Sequence, residues 1–440
     1  MTQILAYAAG IIILIVGIAV SVALHELGHM IPAKRFGVKV PEYFIGFGPR
    51  IWSFKRGETE YGVKAVWLGG YVKLVGMLPP ARPDRPDKRD KNGELGMVGQ
   101  ARAEALAEIE PGEEHRAFYR LSVPKKLVVM AGGILTNLVL GIVLIAVALG
   151  VVGVYKPTST VAVVAPCVSS QSDGQCADSD PVSPAAQAGL RPGDTIVSWD
   201  GAPVSDWEDV QAAIASAGTD SATVLIEREG RRQTLTVTAV EVERPVRDDT
   251  GRPVTDASGK PVTAPRPFAG LSPVWDTQRL APAELPAVVG QSVWGTLKAI
   301  ATLPVGLYKA VAAGLGYQER DAEGVVSLVG IGRVAGEVSS SGAGEGTIPL
   351  SMRVSSMLTL LGALNLALFA FNLVPLLPLD GGHVAGACWE ALRRALARAA
   401  GRPDPGPVDT ARMLPLTQVV VGLLIVMALI LVWVDLVAPI

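Results

Sequence analysis

Residues 1–29, MTQILAYAAGIIILIVGIAVSVALHELGH, run without a charge through Leu24 and close on His25-Glu26-Leu27-Gly28-His29. An uncharged apolar run of roughly 20 residues or more is long enough to cross a membrane as a helix. Its start, Met1-Thr2-Gln3, has no Lys or Arg, and no small-residue cleavage site precedes the histidines, so the segment reads as a retained span rather than a signal peptide. On a helix, positions i and i+4 share a face. Both imidazoles can therefore reach one metal ion while Glu26 stands beside the water that completes its coordination. In a chain with 4 histidines such a match arises by chance on the order of 10⁻³ times. The alternative, a packed histidine pair with a buried glutamate, leaves a carboxyl group in the bilayer at a cost of roughly a few kcal/mol.

Three further runs lack charge over spanning length, residues 127–155, 354–379 and 413–434. The chain is 49% hydrophobic and only 18% charged, too apolar for an ordinary soluble enzyme. A net charge of -2 argues against a nucleic-acid partner, which calls for a basic face. The lipid bilayer is the first partner implied. Basic residues near span ends favour the cytoplasm. Lys34, Arg35, Lys39, Arg116, Arg120, Lys125 and Lys126 lie between the first two spans, and Arg393, Arg394, Arg398, Arg402 and Arg412 between the last two. Residues 35–126 and 383–412 are thus expected to be cytoplasmic, and both termini and residues 156–353 outside. Cys167 and Cys176 fall in the outer segment, where a disulfide can persist, and Cys388 reads as a buried small residue on the inner side.

A catalytic zinc takes three protein ligands and leaves one position open. His115 lies in a charged, soluble stretch. Asp380 is the better third ligand, because the first and third spans run in the same direction and leave the membrane just after His29 and Asp380. Pro375 and Pro378 break the helical ladder beside it, which is tolerated at membrane depth only within protein or beside a wet cavity. His383 is the competing third ligand, or otherwise supports the ligands from behind.

This pattern resembles the site-2 protease family, in particular its RseP-like intramembrane branch. The resemblance rests on the His-Glu-x-x-His segment, on Asn372, Pro375 and Leu379-Asp380-Gly381 in the third span, on Gly69-Gly70-Tyr71-Val72-Lys73, which is similar to a membrane-associated β-hairpin, and on Asn137 early in the second span. Gly133 is followed there by Ile134 where the family pattern has proline. The resemblance implies one Zn2+ per chain on His25, His29 and Asp380, Glu26 as general base and then acid, and Asn372 near the scissile bond. It implies single-pass transmembrane substrates of the anti-sigma-factor type and remnant signal peptides, in a bacterial plasma membrane. Residues 63–75 alternate as a strand, and Gly70, Tyr71 and Val72 are expected to pair with an unwound substrate. A zinc hydrolase of a lipid or small amide and a non-catalytic membrane scaffold are the other classes considered.

The fold expected is a polytopic α-helical membrane protein with four transmembrane helices, a cytoplasmic membrane-associated β-hairpin region and an extracytoplasmic PDZ-like α+β domain. By segment, residues 1–34 form the first span with its histidines, 35–126 the β region and loop, and 127–155 the second span. Residues 156–243 resemble a PDZ domain around Gly189-Leu190-Arg191-Pro192-Gly193-Asp194, a fold that takes a peptide end by strand addition. Ser205 and Glu208 there form a capping box. Residues 244–282, rich in proline with a near-repeat at 251–255 and 259–263, read as an extended linker. Residues 283–353 are expected as interfacial helices outside. A fifth span there would invert the third and part Asp380 from His25. Residues 354–382 form the third span, 383–412 a loop, and 413–435 the fourth span.

Overall fold

The computed structural model describes residues 2–82, 84–89, 91–169, 176–246, 254, 260–321, 324–341 and 348–439. Helix α1, Thr2–Arg35, ends on the basic pair Lys34 and Arg35. A hairpin follows, β1 (Glu42–Arg56) and β2 (Thr59–Lys73), then α2 (Met97–Ala107) and α3 (Val123–Val147), which continues through one π-helical turn at Ala148–Val152. Next come β3 (Val154–Val164), α4 (Pro184–Gln187), β4 (Thr195–Trp199), β5 (Ala202–Pro203) and α5 (Trp207–Ala217). Strands β6 (Ser221–Arg228), β7 (Arg231–Thr238), β8 (Val240–Pro245), β9 (Thr263–Phe268) and β10 (Leu271–Gln278) complete that stretch. The chain returns to helices: α6 (Leu285–Ala301), α7 (Leu303–Gly314), α8 (Leu328–Ser340), α9 (Leu350–Asn372), α10 (Asp380–Ala399) and α11 (Leu414–Val437). Two compact units result, one of residues 1–153 with 279–440 and one of residues 154–278.

Among the described residues, four helices are long and apolar enough to cross a membrane: Gln3–Arg35, Val123–Val152, Leu350–Asn372 and Thr410–Val437. Their outward residues, such as Ile12, Val139 and Leu423, are exposed, as lipid-facing side chains are. This is a membrane protein. The third span stops at Asn372, short of the expected 382, because Pro375 and Pro378 cannot donate to a helical ladder. The chain restarts as α10, so most of the loop expected at 383–412 is helix. Cys388 on α10 is exposed, against the buried position expected of it.

Polar pairs tie these helices together. Asn365 of α9 donates to Ser21 Oγ of α1 at 2.9 Å, both side chains buried, one turn before His25. Lys126 at the start of α3 meets Glu390 of α10 at 2.8 and 3.1 Å, in full burial. Removing one partner of such a pair strands a buried charge, whereas the intact pair fixes how α10 lies against α3.

In the second unit the sheet order is β10-β3-β4-β6-β7, with β5 paired to β4. Ile196, Val210, Val224, Ile226 and Val237 fill its core beneath Trp199 and Trp207. Asp206, whose side chain accepts from Asp209 N, caps α5; the expected capping box on Ser205 does not form, and the Ser205 hydroxyl donates to Asp209 instead. The linker expected at 244–282 is partly sheet: β9 pairs with β8, and β10 lies along β3. Pro265, Pro267 and Pro273 suggested a linker, but prolines are also admitted where a strand runs at a sheet edge. Half of the near-repeat, residues 251–253, 255 and 259, lies outside the described residues. A disulfide joins Cys167 and Cys176.

Asp194 closes the turn before β4. Its buried carboxylate accepts from Arg228 Nε and Nη2 at 2.7 and 2.8 Å and from Arg191 N at 2.8 Å. Burial pushes the carboxyl upward, but these donors outweigh it and hold it below the usual carboxylate range. A depressed folded-state pKa stabilises above the unfolded value of about 3.9 and is lost as pH falls through the folded value. The protection of β4 and β6 amides against hydrogen exchange, taken relative to the intrinsic rate at each pH, should therefore fall below about pH 4, and the Asp194→Asn variant should lose that response.

Candidate metal centre

One turn of α1 separates His25 from His29 and turns both rings toward α3 and the start of α10. The break between α9 and α10, residues 373–379, delivers Asp380 as the first residue of its helix. Three donor atoms converge. His25 Nε2 and His29 Nε2 are each 3.2 Å from Asp380 Oδ2, and 3.2 Å from one another. Asp380 Oδ2 is buried and has no hydrogen-bond donor. Tetrahedral zinc, with bonds of about 2.0–2.1 Å, sets its ligand atoms about 3.3 Å apart. The donor set and its spacing fit such an ion and leave a fourth position open. His383, the competing candidate, is not in the cluster; it lines a separate small cavity of about 30 Å³ with Lys126, Glu390 and Thr410. His115 is exposed in a short 3₁₀ turn.

Helix α3 comes close because glycines let it. A methyl group at Gly132 would strike the Gly28 carbonyl, and one at Gly133 the His29 imidazole. Behind the rings, His29 Nδ1 lies 2.8 Å from Val129 O, and His25 Nδ1 lies 3.0 Å from the Asn137 amide nitrogen. Asn137 is 1% exposed, and its Oδ1 has no partner. The proline missing after Gly133 leaves this contact intact, since it depends on the glycines and on Asn137.

Glu26 follows His25 on the same helix, and β2 leans on it. The N-terminal part of β1 pairs on one side with residues 60–63 and on the other with residues 70–73, so 70–73 is an outer strand. A Cβ on Gly70 would lie 2.9 Å from Val22 Cγ1 and 3.6 Å from Glu26 Cγ. The Val72 backbone lies beside the Glu26 carboxyl group. The Tyr71 hydroxyl donates to Glu42 at 2.6 Å and accepts from Lys64 at 3.0 Å. Of this strand, Gly70 and Val72 thus sit at Glu26, while the Tyr71 side chain is held elsewhere. Asn372 ends α9 at the lip of the break; among the described residues it makes no hydrogen bond to His25, Glu26, His29 or Asp380. The backbone carbonyl of Val129 and the Ser21–Asn365 and Lys126–Glu390 pairs were not singled out from the sequence. Polar residues within or bordering the apolar runs were the available signal for these pairs, but their pairing depends on helix packing.

Comparison with known proteins places this geometry in context. The profile described as "Peptidase family M50" matches residues 13–402. The chain is similar to "Zinc metalloprotease Rip1" of Mycobacterium tuberculosis, 35% identical over 440 residues covering 99% of this chain and 98% of the relative. It is 32% identical to "Zinc metalloprotease Rip1" of Mycolicibacterium smegmatis over 98% of both chains. "Metalloprotease MmpA" of Caulobacter vibrioides is 26% identical over 87% of this chain and 86% of its own.

Proposed function

The chain belongs to peptidase family M50, the site-2 protease family, and from that membership we propose that this intramembrane zinc metalloendopeptidase cuts transmembrane segments of single-pass proteins at the His25–His29–Asp380 centre. The observation that carries the reading is the triangle of donor atoms 3.2 Å on each side, with Glu26 on the adjoining position of α1. In it His25, His29 and Asp380 hold one zinc ion per chain. Zinc bound there would polarise the scissile carbonyl and acidify the attacking water toward a pKa of about 7. Glu26 takes the proton from that water and returns it to the leaving amine.

A substrate helix satisfies its own amides and must unwind to be cut. The outer strand at Gly70, Tyr71 and Val72 gives the unwound peptide a backbone edge beside Glu26, so recognition needs no strict sequence code. Asn372, at the end of α9, contacts the peptide near the scissile bond. Anti-sigma-factor-type proteins, already shortened outside, and remnant signal peptides are the substrates proposed. The basic residues at the span ends favour a cytoplasmic side for 35–126 and 383–412 and the outer side for both termini and residues 156–353. The Cys167–Cys176 disulfide supports that side for the second unit. We read that unit as PDZ-like, with β10 as an edge strand suited to a peptide end.

Asn137 orients His25 in this reading. A histidine that ligates through Nε2 carries its proton on Nδ1 and needs an acceptor there. Turning over the Asn137 amide supplies one and gives the orphaned Oδ1 its partner; oxygen and nitrogen of an amide are assigned by such networks. The Asn137→Ala variant should bind zinc about 10- to 100-fold more weakly, measured by competition with a chelator, and Asn137→Asp should recover most of that loss.

The reading is tested by reconstituting the full chain with a single-pass model peptide and locating the cut by mass spectrometry. A cut within the apolar segment supports it. Cleavage confined to the peptide's soluble flanks, or lipid hydrolysis in its place, refutes it.

A further inference from the structure

Helix α10 has two faces of different kinds. One is spent on protein: Val384 packs with Ile134 and Phe369, and Glu390 pairs with Lys126. The other carries Cys388, Trp389, Leu392, Ala395 and Leu396 within an arc of about 120°, at about 3.6 residues per turn. All five are exposed, Trp389 by 53%, Leu392 by 48% and Leu396 by 58%. Nothing charged falls within the arc. Arg393 and Arg398 border it on opposite sides, and Arg402 follows the helix. Arg398 and Arg402 form no ion pair among the described residues.

We propose that this face of α10 is a lipid-binding surface, seated in the leaflet on the side of residues 35–126, with its arginines taking anionic phospholipid headgroups. Two observations choose lipid over protein. The face belongs to a helix packed among membrane spans: α10 restarts the interrupted third span and packs on α3, which itself exposes Val128 and Leu135. The charge at its borders is of one sign, so a second copy docked face to face would oppose arginine to arginine, whereas an anionic headgroup layer neutralises them. An apolar face with tryptophan and flanking arginines is the composition of a helix lying in the membrane interface, its apolar side about 5–10 Å deep. The long arginine side chains reach back to the headgroups from that depth.

Asp380 is the first residue of this helix. The element that carries it is therefore held on both faces, by the Lys126–Glu390 pair on one and by lipid on the other. That consequence rests on the proposed ligand role of Asp380; the surface itself does not.

Cys388 makes the test direct, since Cys167 and Cys176 are joined to each other and it is the remaining cysteine of 3. The full chain, carrying a fluorophore on Cys388, is placed in phosphatidylcholine nanodiscs and quenched either by lipid brominated near the headgroup or by aqueous iodide. The brominated lipid should quench and iodide should not, and Leu392→Glu with Leu396→Glu should reverse the two. At equal mole fraction, brominated phosphatidylglycerol should associate more strongly than phosphatidylcholine, by up to about five-fold per free arginine. Arg398→Gln with Arg402→Gln should bring the two lipids to parity. Iodide quenching in the wild type as strong as at a label on Lys88→Cys, in an exposed loop and with Cys388→Ser, would put the face in water and overturn the proposal. Protection from both quenchers would mean that protein covers it, and parity of the two lipids in the wild type would remove the headgroup site. None of these readings needs zinc or turnover, so failure of the surface and failure of the protease reading are told apart.

Discussion

Glu26→Gln leaves zinc in place and lowers cleavage of a transmembrane substrate by about 10²- to 10⁴-fold, the usual contribution of a positioned general base. Glutamine fills the same volume on α1, so the contacts with Gly70 and Val72 persist and the outer strand keeps its place. What it loses is the capacity to accept a proton from water. Bound metal, measured by atomic absorption, and binding of the model peptide should both match the wild type, while turnover collapses. This combination separates the enzyme from a membrane scaffold, in which Glu26 has no work to do. A variant that cleaved at the wild-type rate would show that the water proton goes to another group and would remove Glu26 from the mechanism.

How far the sequence reveals this site depends on distance along the chain. His25, Glu26 and His29 lie within two turns of one helix, so spacing alone places them together. Asp380 lies 355 residues beyond His25 and was reached by a topological argument: two spans running the same way and leaving at the same depth. The structure brings its carboxylate to both imidazoles. Interactions with no local periodicity were not legible. Lys126 and Glu390 looked like members of a basic flank and a loop, and only the packing of α10 on α3 makes them a buried pair. Residues 383–412 hold five arginines and three prolines, a composition that reads as loop until the apolar positions are placed on one arc. Residues 263–278 were misread for a related reason, since prolines at a sheet edge look like linker prolines.

Asp380→Ala should release zinc, raising its dissociation constant by more than about 100-fold, beyond what loss of a supporting hydrogen bond costs. Two imidazoles from one helix leave a site with half its tetrahedral ligands, and the carboxylate also supplies the negative charge that a divalent ion needs. His383 offers the competing outcome. It sits one turn along α10, and if it were the third ligand then Asp380→Ala would keep stoichiometric metal while His383→Ala lost it. The geometry argues for the first result: His383 opens onto a cavity shared with Lys126, Glu390 and Thr410, while Asp380 Oδ2 faces both Nε2 atoms at 3.2 Å without a hydrogen bond of its own. A buried carboxylate oxygen so placed is costly unless a cation shares it. Zinc bound between the two imidazoles would be that cation. Dialysis against a chelator with metal quantified at each step distinguishes the two variants, and the His383→Ala enzyme should keep its zinc.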